Sequence, residues 1–330
     1  MIIRRDIIMA GAIAGLGGTA ALAALPVHAQ AFLSRPVRVI TPFPAGSGPD
    51  AAMRVVGEHL ARKWGQPVVV DNRPGGNGFI ATSAFKTAPA DDHTLLLIDS
   101  NHATTHPHTF ARRPYDLEKD FQPLAMILRT PFFVAVSADS PYASVEELVA
   151  AAKARPNVIT YGSWFLGSPG HIGGLRLQAF RGINMTHIPY RDFGQLYAAV
   201  ATKEVDWALG SAASAGPLER AGKLKFLALA ASERDLLYPN VPATAEIASL
   251  KGFEVSAWAG LFAHRATATP VAERMAADIR EALQTPQVVE RYRTFGYEIP
   301  KLTPTSYGQL IRHETESWGR VIRAANLKLD

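Results

Sequence analysis

The chain has 330 residues, 48% of them hydrophobic and 19% charged, a globular balance that excludes disordered and fibrous classes. Its net charge of +5 is modest and no run of five basic residues occurs, so a nucleic-acid partner is not expected. Cysteine is absent, which removes disulfides, thiolate nucleophiles and cysteine-ligated metals.

The first 29 residues read as an export signal. Arg4 and Arg5 open it, an apolar Gly/Ala-rich stretch runs from Ile7 to about Leu25, and Val27-His28-Ala29 offers small residues for cleavage after Ala29. The Arg4-Arg5 pair suits general or twin-arginine export. Gly11, Gly15, Gly17 and Gly18 make the stretch too weakly hydrophobic for a good membrane anchor. A periplasmic location follows.

Strand–loop–helix units come next. Val37-Arg38-Val39-Ile40 is a β-branched run that stops at the loop from Pro42 to Pro49. A helix follows with Met53, Val56 and Leu60 on one face and Gly65 as its stop. Pro67 to Val70 is a second strand, Asn72 to Gly78 its loop, and a helix runs through Ala84. Thr94 to Ile98 is a third strand, leading into a polar loop from Asp99 to His108. Apolar strands alternating with helices predict a parallel sheet covered on both faces.

The chain changes region near Pro131. Ser144-Val145-Glu146-Glu147 is a capping box opening a helix that ends before Pro156. Val158 to Tyr161 is a predicted strand, with a Gly/Ser loop at 162–170 and a helix from about His171. Strands at Met185–Ile188, Val205–Leu209 and Leu224–Leu229, and a helix at Phe193–Ala201, complete a second α/β lobe. Phe253 to Trp258 reads as a strand leading back. Thr269-Pro270, Thr285-Pro286 and Thr303-Pro304 each predict an N-cap followed by proline at the first helical position. The last helix carries Tyr307, Leu310, Ile311, Trp318, Val321 and Ile322 on one stripe. These final helices have no sheet of their own. The expected layout is therefore discontinuous, with residues 30–131 plus 254–330 in lobe 1 and 132–253 in lobe 2.

A strand, a Gly-rich loop and a helix together make an anion site, because first-turn N–H groups point outward and the dipole favours negative charge. Such loops occur at 43–50, 74–78 and 162–171. None is a P-loop or a dinucleotide fingerprint, since no Gly-Lys-Ser/Thr follows and Gly46-x-Gly48 lacks the third glycine. In open α/β sheets, ligands bind beyond the carboxyl ends of the strands. Two lobes with such loops would grip a small anion from both sides.

Pro42-Phe43-Pro44-Ala45-Gly46 followed by Asp50 resembles the motif of the Bug receptors, the extracytoplasmic solute receptors of the tripartite tricarboxylate transporter family. The resemblance continues through Gly65 to Val70, Asn72-Arg73-Pro74-Gly75, Pro114-Tyr115-Asp116 with Lys119-Asp120-Phe121, and Tyr161-Gly162-Ser163. It extends through His187 to Tyr190, Val205-Asp206, Asp235 to Pro242, and Trp318-Gly319 with Val321-Ile322. It implies an α/β, two-lobed, type 2-like periplasmic binding protein fold with a two-strand hinge, and a receptor for a small organic carboxylate rather than an enzyme. The contacts it implies are Phe43, Ala45, Gly46, Ser47, Gly48 and Asp50 in the first lobe. In the second they are Gly162, Ser163, Gly167, Ser168 and His171, with Asp206 at the cleft. Asn101 and Thr104 are expected to line the cleft too.

Two departures from the family pattern stand out. Gly46-Ser47 replaces Gly-Gly. Trp164, Phe165 and Leu166 replace small residues of the second loop, and Pro169 replaces a serine, so a bulkier, more apolar wall is expected. Trp164 and Phe165 then favour an aromatic or otherwise apolar-bodied carboxylate, unless they are lobe core. Asp50, Ser168 and His171 could equally cap or start their helices. His106-x-His108 could sit on one strand face and hold a metal, although loop histidines are more often surface; no metal or cofactor is expected. The expected partners are the carboxylate and either membrane transporter subunits or a sensor domain, with the receptor a monomer. A secreted hydrolase is the rival class, but neither Gly-x-Ser-x-Gly nor His-Glu-x-x-His occurs.

Overall fold

The computed structural model describes residues 32–330, so the export-signal reading of residues 1–29 lies outside the described residues. From Val37 the apolar runs do extend and the Gly-punctuated runs coil. The order begins β1 (Val37–Thr41), α1 (Gly48–Trp64), β2 (Val68–Asn72), α2 (Phe79–Lys86) and β3 (Thr94–Asp99). Next come α3 (His106–Thr109), α4 (Leu117–Asp120), β4 (Phe121–Pro131) and β5 (Phe133–Ser137). Then follow α5 (Val145–Ala154), β6 (Thr160–Trp164), α6 (Pro169–Arg181), β7 (Thr186–Tyr190) and α7 (Phe193–Ala201). The chain closes with β8 (Trp207–Gly210), α8 (Gly216–Arg220), β9 (Leu224–Leu229), β10 (Ser256–His264), α9 (Thr269–Leu283), α10 (Pro286–Phe295) and α11 (Pro304–Ala324).

Two five-stranded sheets result, ordered β2-β1-β3-β10-β4 and β7-β6-β8-β5-β9. Both are mixed, which corrects the parallel expectation. β1 pairs in parallel with β2 and β3, while β10 lies antiparallel between β3 and β4. β6 pairs in parallel with β7 and β8, while β5 lies antiparallel between β8 and β9. The returning segment supplies the reversed strand β10 in the first sheet, and β5 is the reversed strand of the second; β4 and β5 are strands that sequence reasoning left unassigned. β4 carries Gln122, Pro123 and Arg129, and these interrupt the apolar run that would mark a strand.

The chain passes between the sheets at one knot of backbone bonds. Phe132 N donates to Val255 O (3.1 Å), Ala230 N to Phe132 O (2.8 Å) and Val255 N to Ala230 O (2.9 Å). One hydrophobic cluster lies against the first sheet and includes Ile40, Leu96, Ile98, Trp258 and Phe262. Another serves the second sheet around Tyr161, Leu196, Trp207 and Leu209. Helix α11 joins both: Tyr307 and Ile311 belong to the first cluster, Trp318 and Ile322 to the second. Among the described residues no helix is long and apolar enough to cross a membrane.

Local signals largely act as expected. Gly65 ends α1 in the left-handed conformation at φ 67°. Ser144 accepts from Glu147 N at 3.1 Å, and the Glu147 carboxylate takes Ala143 N rather than its own cap residue. Thr285 and Thr303 cap α10 and α11, but α9 starts one residue early, with Ala268 as its cap and Pro270 in its first turn. The polar loop after β3 is instead helical, with a π-turn at Asn101–Thr105 running into α3. Its hydroxyls explain this: Thr104, Thr105 and Thr109 each donate four residues back, to Ser100 O, Asn101 O and Thr105 O. The strand expected at Val158–Tyr161 starts two residues later, because Asn157 turns the chain at φ 62°.

Candidate ligand site

In each sheet the parallel strands switch direction of winding next to one strand, β1 in the first and β6 in the second. A crevice opens at such a point, beyond the carboxyl ends. The loops there are 42–47 after β1, 100–105 after β3, 165–168 after β6 and 211–215 after β8.

The first loop is held by a network centred on Asp50. Its carboxylate accepts from Gly46 N (2.8 Å), Asn72 Nδ2 (2.8 Å), and Arg54 Nε and Nη2 (both 3.0 Å). Asn72 Nδ2 also donates to Phe43 O at 2.9 Å, so the second Gly-rich loop braces the first. Burial pushes the Asp50 carboxyl up, but the bonds from Arg54, Asn72 and Gly46 outweigh this and hold it below the usual carboxylate range. Asp50 is buried with every neighbour internal, so it shapes the loop. Phe43 and Gly48 are half-buried, Ala45 and Gly46 exposed. Ser47 is the N-cap of α1 yet makes no capping bond, and its Oγ is buried without a partner. Pro49 supplies no N–H, leaving Gly48 N and Asp50 N at the helix start.

The first loop meets the second half of the chain through Tyr297. A Cβ on Gly48 would lie 1.9 Å from Tyr297 Oη, and a Cβ on the neighbouring Gly296 would lie 2.9 Å from Ala212 Cβ. Burial raises the Tyr297 phenol above its ordinary value. Nearby, Ser211 and Ser214 bond to each other (2.9 Å), and Ser214 Oγ to Tyr197 Oη (2.9 Å). On the other flank Ser100, Asn101 and Thr104 face Pro169 and Ile172 across a small cavity. Tyr297, Gly296, Ser211 and Ser214 were not singled out by sequence reasoning; a lone tyrosine after a helix-ending glycine and a pair of serines after a strand carry no motif.

The second loop is tied to itself. Gly167 N donates to His171 Nδ1 (3.0 Å), and His171 N to Ser168 Oγ (3.3 Å). Ser168 therefore caps α6, as one reading of the sequence had it. His171 stacks on His187 with ring centroids 3.8 Å apart, and burial lowers their pKa values to about 4 and about 3, His187 helped by its neighbour's charge. Both are neutral at pH 7. Ser163 is fully buried; its Oγ donates to Phe165 O (3.0 Å) and meets His187 Nε2 at 2.8 Å. That spacing suits a nucleophile and its base, but the hydroxyl is committed, and among the described residues no carboxylate bonds the His187 ring.

Several expected contacts sit elsewhere. Gly162 lies inside β6, packed on Leu196 and Tyr190. Trp164 ends that strand with its ring against Phe132, Phe193 and Gly170, only 8% exposed and part of the second core. Phe165 is 53% exposed with φ 70°, and Leu166 is exposed beside it. Asp206 sits just before β8 and accepts from Thr160 N (2.8 Å) and Thr160 Oγ1 (2.9 Å). Thr160 begins β6, so Asp206 marks the amino end of these strands, about 13 Å from the loops that follow them. His102 pairs with Asp99 (Nδ1–Oδ1, 2.5 Å) and His106 contacts Tyr115 Oη (3.4 Å), while His108 Nε2 bonds to Thr315 O (2.8 Å) on α11. Among the described residues no group of three or more His, Asp or Glu is arranged to hold a metal ion.

Two α/β halves whose strand-end loops approach one another, joined by crossing strands, define the periplasmic binding protein fold. The chain belongs to the tripartite tricarboxylate transporter family of receptors, whose family model matches residues 52–327. It is 33% identical to the UPF0065 protein in the tcbD-tcbE intergenic region of Pseudomonas sp. strain P51, over 89% of this chain and 87% of that one. It is 31% identical to protein BugT of Bordetella pertussis, over 94% and 95% of the two chains. A Rhodopseudomonas palustris protein solved with adipate superposes with a TM-score of 0.76 at 27% identity, covering 90% of this chain and 99% of that one. MatC of the same organism, solved with bound malate, gives 0.72 at 28% identity, covering 90% and 100%.

Proposed function

We propose that this receptor captures a small organic carboxylate between the loops after β1, β3, β6 and β8 and presents it to the membrane subunits of a transporter. The observation that carries the reading is Ser47. Its buried hydroxyl has no partner, and it stands, without making a capping bond, at the N-cap position of a 17-residue helix whose first turn can meet an anion. The adipate and malate held by two structural neighbours support the ligand class. The second loop spends its Gly167 N–H internally, so polar anchoring falls mainly on the first loop, and exposed Phe165 and Leu166 favour an apolar-bodied acid.

The receptor works as an exported monomer, freed of residues 1–29 by cleavage near Ala29. Its lobes comprise residues 30–131 plus 254–330, and 132–253. The separate sheets and the knot at Phe132 and Val255 support this layout. Closure should appear as compaction in solution scattering when ligand is added. A thermal-shift screen of mono-, di- and aromatic carboxylates tests the function. A ligand present at about 100 times its Kd adds about 2.7 kcal/mol. If only an uncharged sugar or a cation raises the melting temperature, the proposal is wrong.

A further inference from the structure

A larger cavity lies behind the one beside Ser100 and Pro169, with Ser256 and Trp318 shared on their walls. It encloses about 520 Å³ between β4, α6, α11 and the segment 298–302, a volume suited to a small molecule. Two charges on its wall lack ionic partners. Arg176, on α6, lies over the Trp318 ring at 4.9 Å, and among the described residues its one hydrogen bond is long, 3.5 Å from Nη2 to Gly252 O. Glu314, on α11, accepts one bond, from Trp258 Nε1 at 2.8 Å. Among the described residues neither has an opposite charge within ion-pair distance, whereas Arg129 in the same cavity is matched by Glu254 (3.5 Å) and Glu298 (3.8 Å). Arg176 and Glu314 still feel each other's charge, and burial works against both. Half-buried charges left unpaired are costly, and a ligand bearing both complements would offset that cost.

We propose that this cavity is a second binding site, for a zwitterion whose carboxylate meets Arg176 and whose ammonium meets Glu314, with an apolar body on Trp318 and Leu310. Arg176 extends from a helix of the second sheet, while Glu314 lies on α11, whose first half packs on the first sheet. Occupancy therefore ties the two halves together behind the crossing strands, independently of the loops that face the carboxylate.

The test reads Trp318 directly. Its indole N–H signal in a ¹H–¹⁵N spectrum, assigned with Trp318→Phe, is followed while the full protein is titrated with L-phenylalanine, 3-phenylpropionate or 2-phenylethylamine. L-Phenylalanine should give a saturable shift, and the two single-charge analogues should be about tenfold weaker at this signal. Glu314→Gln keeps the acceptor for Trp258 and should weaken L-phenylalanine about tenfold, as should Arg176→Gln. Equal affinity for all three probes, no saturable shift with L-phenylalanine, or unchanged affinity in both variants would overturn the proposal. Trp318 also borders the small cavity beside Ser100 and Pro169, so a shift is assigned to this site when it persists in Asp50→Ala and weakens in Glu314→Gln and Arg176→Gln; a shift lost only in Asp50→Ala would overturn the assignment.

Discussion

Asp50 separates a ligand contact from a brace. Its side chain is 1% exposed and accepts four bonds. The two from Arg54 come from a side chain 48% exposed, so solvent screening leaves the pair about 0.5 kcal/mol. Those from Gly46 N and Asn72 Nδ2 end on a buried charged acceptor and contribute about 1.5 kcal/mol each. Asp50→Ala should therefore cost about 3 to 4 kcal/mol in urea unfolding at neutral pH. Carboxylate binding should weaken with it, because Gly46 and Phe43 lose their anchor. The folded pKa lies below that of an ordinary aspartate, so this stability is present above the unfolded pKa and is lost as pH falls through the folded one. The gap between wild type and variant should shrink accordingly in acid. A cost below about 1 kcal/mol, with binding abolished, would refute the brace and return Asp50 to the ligand.

Further outcomes follow from neighbouring contacts. Gly48→Ala should weaken carboxylate binding by displacing Tyr297, and adding Tyr297→Phe should restore much of it, a non-additivity seen by calorimetry. Trp164→Ala should cost about 3 to 5 kcal/mol as a core truncation, measured by denaturant unfolding. Phe165→Gly should instead stabilise by about 1 kcal/mol by relieving the left-handed backbone, while lowering affinity for an apolar-bodied acid. The His171–His187 pair binds fewer protons folded than unfolded, so stability should fall as pH drops from 6.5 toward about 4, by roughly 2 to 4 kcal/mol between pH 7 and 5; His187→Gln should flatten that dependence in denaturation curves at several pH values.

Where a residue's neighbours in sequence are also its neighbours in space, the sequence was readable. Met53, Val56 and Leu60 marked the buried face of α1, Gly65 its end, and Ser144 the start of α5. The loop at 43–48 was located by its glycines and by family resemblance. What could not be read depends on distant pairing. Asp50 became a brace because Asn72 reaches it from another loop, and Tyr297 reaches Gly48 from the far end of the chain. In sequence Trp164 reads as pocket wall ahead of core, but it ends β6 with its ring packed on Phe132 and Phe193, partners distant in sequence. Asp206 lies just before β8, bonded to Thr160, a position that a dipeptide motif cannot fix because it carries no direction along the sheet.

β10 is an inner strand of the first sheet, between β3 and β4. Until residues 256–264 exist, those two strands have no common partner, and the edge of β3 stays open. The second sheet draws on residues 133–229 alone. As the chain emerges from its amino end, the later half can therefore mature before the earlier one, while the first four strands wait as an unfinished edge. A chain cut short before β10 would leave the first sheet with an open edge prone to aggregate, and would keep the second sheet's strands while stripping Trp318 and Ile322 from its core.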